Sequence, residues 1–144
     1  MLLIAGEDFG ERKKLEGLID KLALKDRVFL IGMIEGEDKK EFLRNADLFA
    51  LASHHENFGI VYAEALASGI PVIASKNTPW QDVEKYNCGK WVDNTPEDFA
   101  NAIKEILKSD TNSMGINGKK FVSERFSCEE VIKRYRELFN SMLK

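Results

Sequence analysis

The sequence predicts an α/β fold in which a parallel sheet carries helices on both faces. Short apolar runs such as Leu48 to Leu51 and Val72 to Ala74 have the near-continuous hydrophobicity of strands that are buried on both faces. They alternate with longer segments whose apolar residues recur at helical spacing. This alternation is typical of strand, helix, strand units joined by right-handed crossovers. A length of 144 residues with 44% hydrophobic composition suffices for one core, so we expect a single domain over residues 1–144.

Five strands and seven helices are predicted in chain order. The strands comprise Leu2 to Ala5, Val28 to Ile31, Leu48 to Leu51, Val72 to Ala74 and Lys90 to Val92. The helices comprise Glu11 to Leu24, Asp38 to Asn45, Ile60 to Ser68, Pro79 to Tyr86, Pro96 to Lys108, about Met114 to Ser123, and Cys128 to Met142. Three helix starts offer a capping side chain, namely Thr78, Thr95 and Ser127. The last helix has an apolar side, which we expect to pack on a core, formed by Val131, Ile132, Tyr135, Leu138 and Phe139.

The segment with the clearest chemical signal joins the third predicted strand to the third helix. A polar loop from Ser53 to Gly59 precedes this helix, which Gly69 ends. The helix N-terminus offers unpaired N–H groups and partial positive charge at the carboxyl edge of the sheet, where open α/β sheets bind ligands. Because Gly59 has no side chain, we expect an anionic group to approach the amides of Gly59, Ile60 and Val61. A diphosphate fits this arrangement better than a metal ion does.

Two carboxylates flank the expected phosphate position. Glu56 lies in the loop and Glu64 lies inside the helix, and a helical rise of about 12 Å at most separates them. Carboxylates accept paired hydrogen bonds from vicinal hydroxyls, which both a ribose and a hexose present. We therefore expect the hexose near Glu56, the diphosphate over the helix start and the ribose near Glu64.

This segment resembles the E-x7-E signature of the family 4 (group 1) retaining glycosyltransferases. Seven residues separate Glu56 from Glu64, and the accompanying Phe58-Gly59 and Ala65 to Val72 are in place. The likeness runs from Leu2 to about Leu107 and includes Leu2 to Gly6, Arg27 to Gly32, Ala46 to Phe49 and Cys88 to Val92. Asn57 stands where the family usually has Gly, and Ala52-Ser53 replaces a common Pro-Ser. The resemblance implies a Rossmann-like C-terminal donor-binding domain of the glycosyltransferase B fold.

The resemblance also implies a function. It implies transfer of a hexosyl unit from a nucleoside diphosphate sugar with retained configuration, with neither metal nor cofactor, in polysaccharide or glycolipid assembly. Glu56 is the implied catalytic residue, and the implied substrate contacts are Asn57, the Phe58 backbone, Gly59, Ile60, Val61 and Glu64. Family members have one more strand and helix before the position of Leu2, with an Arg and a Lys that bind the diphosphate, and an N-terminal acceptor domain before that.

We therefore expect a C-terminal fragment of a two-domain enzyme that binds its donor but is inactive alone, with the N-terminal acceptor domain of the parent enzyme as its partner. In the family a similar terminal helix packs across toward that domain, so we expect the apolar side of the last helix to be incompletely covered here. In the usual strand order the absent strand is central. Its neighbours would close directly, borrow a strand from another copy, or depend on residues outside this chain.

Two alternative functions stay open. A non-catalytic nucleotide-binding domain, acting as a regulatory or partner subunit, would use Glu64 but would not depend on Glu56. The second alternative is a sugar-nucleotide epimerase of the same two-domain architecture, although the His and acidic residues expected of such an enzyme are not evident around this motif. His54 and His55 form a loop pair with no third metal ligand at useful spacing. Trp80 either contacts the sugar or diphosphate or anchors its own short helix.

Composition excludes other partner classes. A net charge of −3, from 21 basic and 24 acidic residues, leaves no electrostatic footprint for nucleic acid or an anionic membrane. No apolar run is long enough to span a bilayer, and Met1 to Gly6 lacks the features of a signal peptide, so we expect a cytoplasmic location. Cys88 and Cys128 lack metal-ligand spacing and are expected to be reduced thiols.

Overall fold

A computed structural model describes residues 1–143. Two compact units are present, Met1–Lys39 (unit 1) and Lys40–Lys144 (unit 2). The elements are, in chain order, β1 (Leu2–Ala5), α1 (Arg12–Lys21), β2 (Val28–Gly32), α2 (Gly36–Arg44), β3 (Phe49–Leu51), α3 (Ile60–Ala67), β4 (Val72–Ser75), α4 (Asp82–Lys85), β5 (Gly89–Val92), α5 (Pro96–Ile106), α6 (Thr111–Phe126) and α7 (Cys128–Met142). All five predicted strands are present within a residue of their predicted ends.

Unit 1 contains a two-stranded parallel sheet. β1 pairs with β2, with Leu2 opposite Val28 and Ala5 opposite Gly32, and α1 forms the crossover. The turn before α1 is closed by Asp8, whose Oδ1 atom accepts hydrogen bonds from the backbone N–H groups of Gly10 and Arg12. These bonds hold the pKa of Asp8 below its ordinary value.

Unit 2 is built on a three-stranded parallel sheet in the order β3-β4-β5. The central strand β4 is buried along its whole length. Its residues alternate between two cores, because successive side chains of a strand point to opposite faces. Val72 and Ala74 pack with α3 and α6 on one face, and Ile73 packs with Ala102 and Ile106 of α5 on the other. The predicted α/β class, with a parallel sheet between helices, is therefore confirmed.

Close backbone approach fixes how α6 packs on α3. A Cβ atom at Gly115 would lie 2.1 Å from the backbone oxygen of Gly69, and one at Gly118 would lie 2.9 Å from Leu66 Cδ2. At this separation only a glycine fits at position 115. The two helices therefore meet along a face of α6 that lacks side chains at Gly115 and Gly118, and this close approach brings Phe121 into the core.

Hydrogen bonds at the helix starts confirm two predicted caps and correct a third. Thr95 Oγ1 accepts from the N–H of Asp98 at 3.1 Å, and Ser127 Oγ accepts from the N–H of Glu130 at 3.3 Å. The prediction for Thr78 was wrong, because its hydroxyl instead donates to Ser75 O at 2.7 Å. The fourth helix consequently starts later than predicted, at Asp82.

The last two helices also differ from prediction. Helix α6 starts earlier, at Thr111, because Asp110 caps it. Helix α7 has the predicted bounds, but its apolar side does not pack on a core: Ile132, Tyr135 and Phe139 are 51%, 58% and 59% exposed. Helices α3 and α6 already fill the core on one sheet face and α5 fills it on the other, which leaves α7 outside.

One absence completes the description of residues 1–143. None of the helices in this part of the chain is long and apolar enough to cross a bilayer.

Candidate functional site

The predicted site lies in unit 2, where the loop after β3 leads into α3. Glu56 is in the middle of this loop and is partly buried. Its side chain folds back toward the start of the helix, because its Cγ atom lies 2.9 Å from the point that a Cβ atom of Gly59 would occupy. The loop therefore places the Glu56 side chain beside the N-terminus of α3, as the sequence predicted.

Gly59 is the residue at which the loop turns into the helix. It adopts a left-handed conformation with φ of +73°, which disfavours residues that have a Cβ atom. A Cβ atom there would also lie 2.7 Å from Cδ2 of the buried Tyr62 ring. We expected Gly59 to be bare so that a ligand could approach, but the space beside it is filled by Tyr62 and Glu56. Internal packing is thus a second reason for glycine at this position.

The first turn of α3 exposes backbone donors. Tyr62 N–H donates to Gly59 O at 3.0 Å. Within residues 1–143, the N–H groups of Gly59, Ile60 and Val61 have no hydrogen-bond acceptor. The α3 N-terminus therefore combines free donors with the positive end of a helix dipole, an arrangement suited to an anion.

Glu64 is the fifth residue of α3 and the helix's one charged residue. Its side chain is partly buried, and its Oε2 atom is shielded from solvent. Residues three and four apart share a helix face, so Glu64 lies on the same side of α3 as Ile60 and Val61. The two predicted carboxylates thus flank the free amides along the chain: Glu56 precedes them and Glu64 follows them.

Aromatic packing holds the end of the loop. The Phe58 ring lies 5.4 Å from the Trp80 ring and 5.3 Å from the Phe126 ring. Trp80 is only 2% exposed, so it does not offer a stacking surface to a sugar. Its Nε1–H donates to the backbone oxygen of Phe58. Trp80 therefore anchors this loop, a role that could not be predicted from the sequence because Trp80 and Phe58 are 22 positions apart.

Charged and polar residues also meet where the other strands of this sheet end. After β4 and β5, Lys76 Nζ pairs with Asp93 Oδ2 at 2.7 Å, and this bond raises the pKa of Lys76. After β3, His54 Nδ1 lies 3.4 Å from Asn94 Nδ2. Within residues 1–143, no cluster of three or more His, Cys, Asp or Glu residues is arranged to hold a metal ion. These pairs occupy the carboxyl edge of the sheet, beside the loop that carries Glu56.

Two buried groups have perturbed acidity. Burial raises the pKa of the Tyr62 hydroxyl, and the negative charge of Glu56 adds to this rise. Burial also raises the pKa of the Cys88 thiol to about 12. Cys88 and Cys128 are both free thiols, of which Cys128 is exposed.

A cleft of about 480 Å³ lies elsewhere in unit 2. Its lining includes Asp47 and Pro71, which precede β3 and β4, together with Arg44 and Lys119. It therefore lies at the amino ends of the strands. Because parallel α/β sheets bind ligands at the carboxyl ends of their strands, we place the candidate site at the start of α3 rather than in this cleft.

Comparison with known protein families decides the class of the chain. Residues 1–121 match the family described as "Glycosyl transferases group 1". The chain belongs to the group 1 glycosyltransferases. This membership agrees with the resemblance in the sequence, including its Rossmann-like fold, and the matched residues include the segment from Glu56 to Glu64.

Individual known proteins are similar to this chain over almost its whole length. The alpha-1,3/1,6-mannosyltransferase ALG2 of Dictyostelium discoideum is 31% identical, with 100% of this chain aligned to 36% of that protein. The sucrose-phosphate synthase of Thermosynechococcus elongatus is 32% identical with a TM-score of 0.82, covering 99% of this chain and 38% of that one.

A third relative carries nucleotide ligands. HepE of Anabaena, in complex with UDP, is 27% identical with a TM-score of 0.84, covering 96% of this chain and 40% of that one. The same protein is also known in complex with UDP-glucose. This chain therefore spans less than half the length of each of these three relatives.

Proposed function

We propose that this chain is the donor-binding part of a retaining glycosyltransferase and that it binds a nucleoside diphosphate sugar at the start of α3. The observation that carries the proposal is the combination of free amides at Gly59, Ile60 and Val61 with a carboxylate on either side. The amides suit a diphosphate, whereas Glu56 and Glu64 suit sugar hydroxyls. The binding of UDP and UDP-glucose by HepE supports the same ligand class.

Each predicted residue has a separate role in this proposal. Glu64 accepts hydrogen bonds from the ribose hydroxyls. The backbone of residues 57–61 cradles the diphosphate, and the dipole of α3 stabilises its charge as it leaves. Glu56 orients the donor hexose and stabilises positive charge at the anomeric carbon. No metal or cofactor takes part, and the enzyme works in the cytoplasm.

The chemical step is transfer of the hexosyl unit. The bond from the anomeric carbon to the diphosphate oxygen breaks, and a bond from that carbon to an acceptor hydroxyl oxygen forms on the same face. The nucleoside diphosphate takes the electron pair of the broken bond, and its leaving oxygen accepts the proton of the acceptor hydroxyl. Attack from the same face leaves the anomeric configuration unchanged.

We further propose that the acceptor is held by an N-terminal domain that this chain requires for transfer. The share of its relatives that the chain covers, 36% to 40% for three of them, supports this requirement. The uncovered apolar side of α7 supports it too, because large exposed apolar patches mark surfaces that other protein covers. The isolated chain is then expected to bind donor without transferring sugar.

Calorimetric titration tests the proposal. The intact chain and its Glu56→Ala and Glu64→Ala variants are titrated with UDP, GDP and ADP sugars and with the matching free nucleotides. We expect one nucleotide family to bind. Glu64→Ala should weaken the nucleotide and the nucleotide sugar by the same factor, of about tenfold, because it removes hydrogen bonds to a charged group. Glu56→Ala should remove only the additional affinity that the sugar confers.

Other outcomes separate the alternatives. If Glu64→Ala weakens binding while Glu56→Ala has no effect and the sugar adds nothing, the chain is a non-catalytic nucleotide-binding domain. If a folded chain binds none of these ligands, the proposal fails for the chain alone. Lys85→Ala, which changes an exposed residue of α4, serves as a control that should bind normally.

A further inference from the structure

The loop that carries Glu56 is held at both ends by buried side chains. At its start, the Tyr62 hydroxyl donates to Leu51 O at 2.8 Å and the Ser75 hydroxyl donates to Ser53 O at 2.6 Å. At its end, Trp80 Nε1–H donates to Phe58 O. Tyr62 and Ser75 are fully buried, and Trp80 is nearly so. All three bonds reach backbone oxygens, so they fix the path of the chain rather than a side-chain rotamer.

Packing leaves the Trp80 indole little freedom to turn. Its ring lies 5.4 Å from the rings of Phe58 and Tyr62, 5.7 Å from Phe126 and 6.2 Å from Phe121. A close-packed interior holds such a ring in one orientation, and a buried indole N–H keeps its acceptor. The donor that Phe58 O meets is therefore held in a fixed direction.

The hydrogen bond from Trp80 has a direct effect on Gly59. The oxygen of Phe58 and the N–H of Gly59 belong to the same planar, trans peptide group. In such a group the oxygen and the N–H point in opposite directions. Because the oxygen points at the indole, the Gly59 N–H must point away from it. Gly59 itself gives little resistance to rotation of this peptide, since glycine tolerates both signs of φ.

We propose that Trp80 is a positioning residue for donor binding, which aims the Gly59 N–H at the diphosphate through its bond to Phe58 O. This role rests on the proposed function. The indole N–H also polarises the peptide group, since linked hydrogen bonds strengthen one another. Trp80 contacts no ligand in this scheme. It acts entirely through the Phe58-Gly59 peptide.

A matched pair of variants isolates this role. Trp80→Phe keeps an aromatic ring and removes the N–H donor. Trp91→Phe removes a comparable indole donor in the same unit, one that bonds Thr78 O at 3.1 Å and not the loop. Each variant is titrated with the UDP, GDP or ADP sugar that the wild-type chain binds and with the matching free nucleotide, and is unfolded with urea. We expect Trp80→Phe to weaken both ligands about tenfold or more, because it misdirects a hydrogen bond to a charged group, and Trp91→Phe to leave both affinities unchanged.

A spectroscopic measurement reports on the peptide itself without any ligand. In NMR spectra of a chain labelled with ¹⁵N-glycine, the Gly59 amide signal should shift in Trp80→Phe, and the Gly59 amide hydrogen should exchange faster with solvent. The signals of Gly69 and Gly115 should stay in place. Trp91→Phe should leave the Gly59 signal unmoved. A loss of stability alone would not single out one glycine in this way.

The outcomes separate this inference from the proposed function. If the wild-type chain binds one of these nucleotide sugars and Trp80→Phe binds it equally well, Trp80 has no positioning role. If the wild-type chain binds none of the UDP, GDP and ADP sugars, the proposed function fails, and an unmoved Gly59 signal in Trp80→Phe would overturn the inference as well. Should Trp80→Phe not fold, the Trp91→Phe chain is made with a benzothienyl analogue of tryptophan. Sulfur then replaces the indole N–H at position 80 alone, and the same losses are expected.

Discussion

Replacing Gly59 with alanine should destabilise unit 2 more than the same change at another glycine of similar conformation. Two costs arise at Gly59. Its φ of +73° is a left-handed conformation that costs a residue with a Cβ atom about 1 to 2 kcal/mol. The new methyl group would also lie 2.7 Å from Tyr62 Cδ2 and 2.9 Å from Glu56 Cγ.

The second cost is large because the Tyr62 ring cannot move aside cheaply. The ring is fully buried, packs against Phe49 and Trp80, and donates its hydroxyl hydrogen to Leu51 O. Overpacking a site of this kind costs about 1 to 3 kcal/mol. The sum for Gly59→Ala is therefore about 2 to 5 kcal/mol.

Gly69→Ala is the matched control for this prediction. Gly69 has a φ of +86° in the same unit, but the atom nearest its missing Cβ is Cε of the flexible Lys119 side chain, at 2.7 Å. That side chain can swing away, so only the conformational cost of about 1 to 2 kcal/mol remains. Urea unfolding followed by circular dichroism measures both variants. Equal losses of unfolding free energy would refute the packing argument at Gly59.

Three further predictions test other parts of the fold. Gly115→Ala should lower the free energy of unfolding in urea by about 3 kcal/mol or more, because its Cβ atom would lie 2.1 Å from Gly69 O. Gly17→Ala in α1 should instead raise it by about 0.5 to 1 kcal/mol, because nothing lies within 4 Å of the new Cβ atom. A lower free energy of unfolding for Gly17→Ala would contradict this reasoning. The hydroxyl and amide of Ser113 hold the pKa of Asp110 below its ordinary value of 3.8. The cap therefore contributes its full stability above pH 3.8, and this contribution is lost as the pH falls through the lower pKa of the folded state. Asp110→Asn should make the urea midpoint depend less on pH between about pH 5 and pH 2. An unchanged pH dependence would count against the cap. The thiolate is the reactive form of cysteine, and burial raises the pKa of Cys88 to about 12. A disulfide reagent at about pH 8 should therefore label one thiol of the native chain, the exposed Cys128. Rapid labelling of two thiols per chain would show that Cys88 is accessible.

The strands could be predicted well because local chemistry defines their ends. Each is a short apolar run with turn residues next to it, such as Pro71 before β4 and Gly89 at the start of β5. The start of α6 was harder. Asp110 and Ser113 have side chains typical of a turn, yet in the structure they cap the helix and belong to its first turn. The same short polar side chains serve both structures, so sequence alone does not distinguish them.

The site shows the same division between local and long-range information. The positions of Glu56 in a loop and Glu64 on a helix followed from the sequence, because both depend on residues nearby. The bonds of Trp80 and Ser75 to the loop did not, because they join residues 22 positions apart in the chain. The apolar side of α7 was expected to pack on a core and to stay incompletely covered in this chain, and only the second expectation holds. An amphipathic pattern shows which side of a helix is apolar but not how much of it is packed.

The strand order of the two sheets bears on how the chain folds. Every strand pairing among the described residues joins strands that follow one another in the sequence, and none joins residues more than 27 positions apart, as Ala5 and Gly32 are. Parallel sheets often fold slowly because their partners are distant in the chain. Here each strand meets its partner after a single crossover. During synthesis, the β1–β2 pair can form before β3 has left the ribosome, and β4 finds β3 already available as a template.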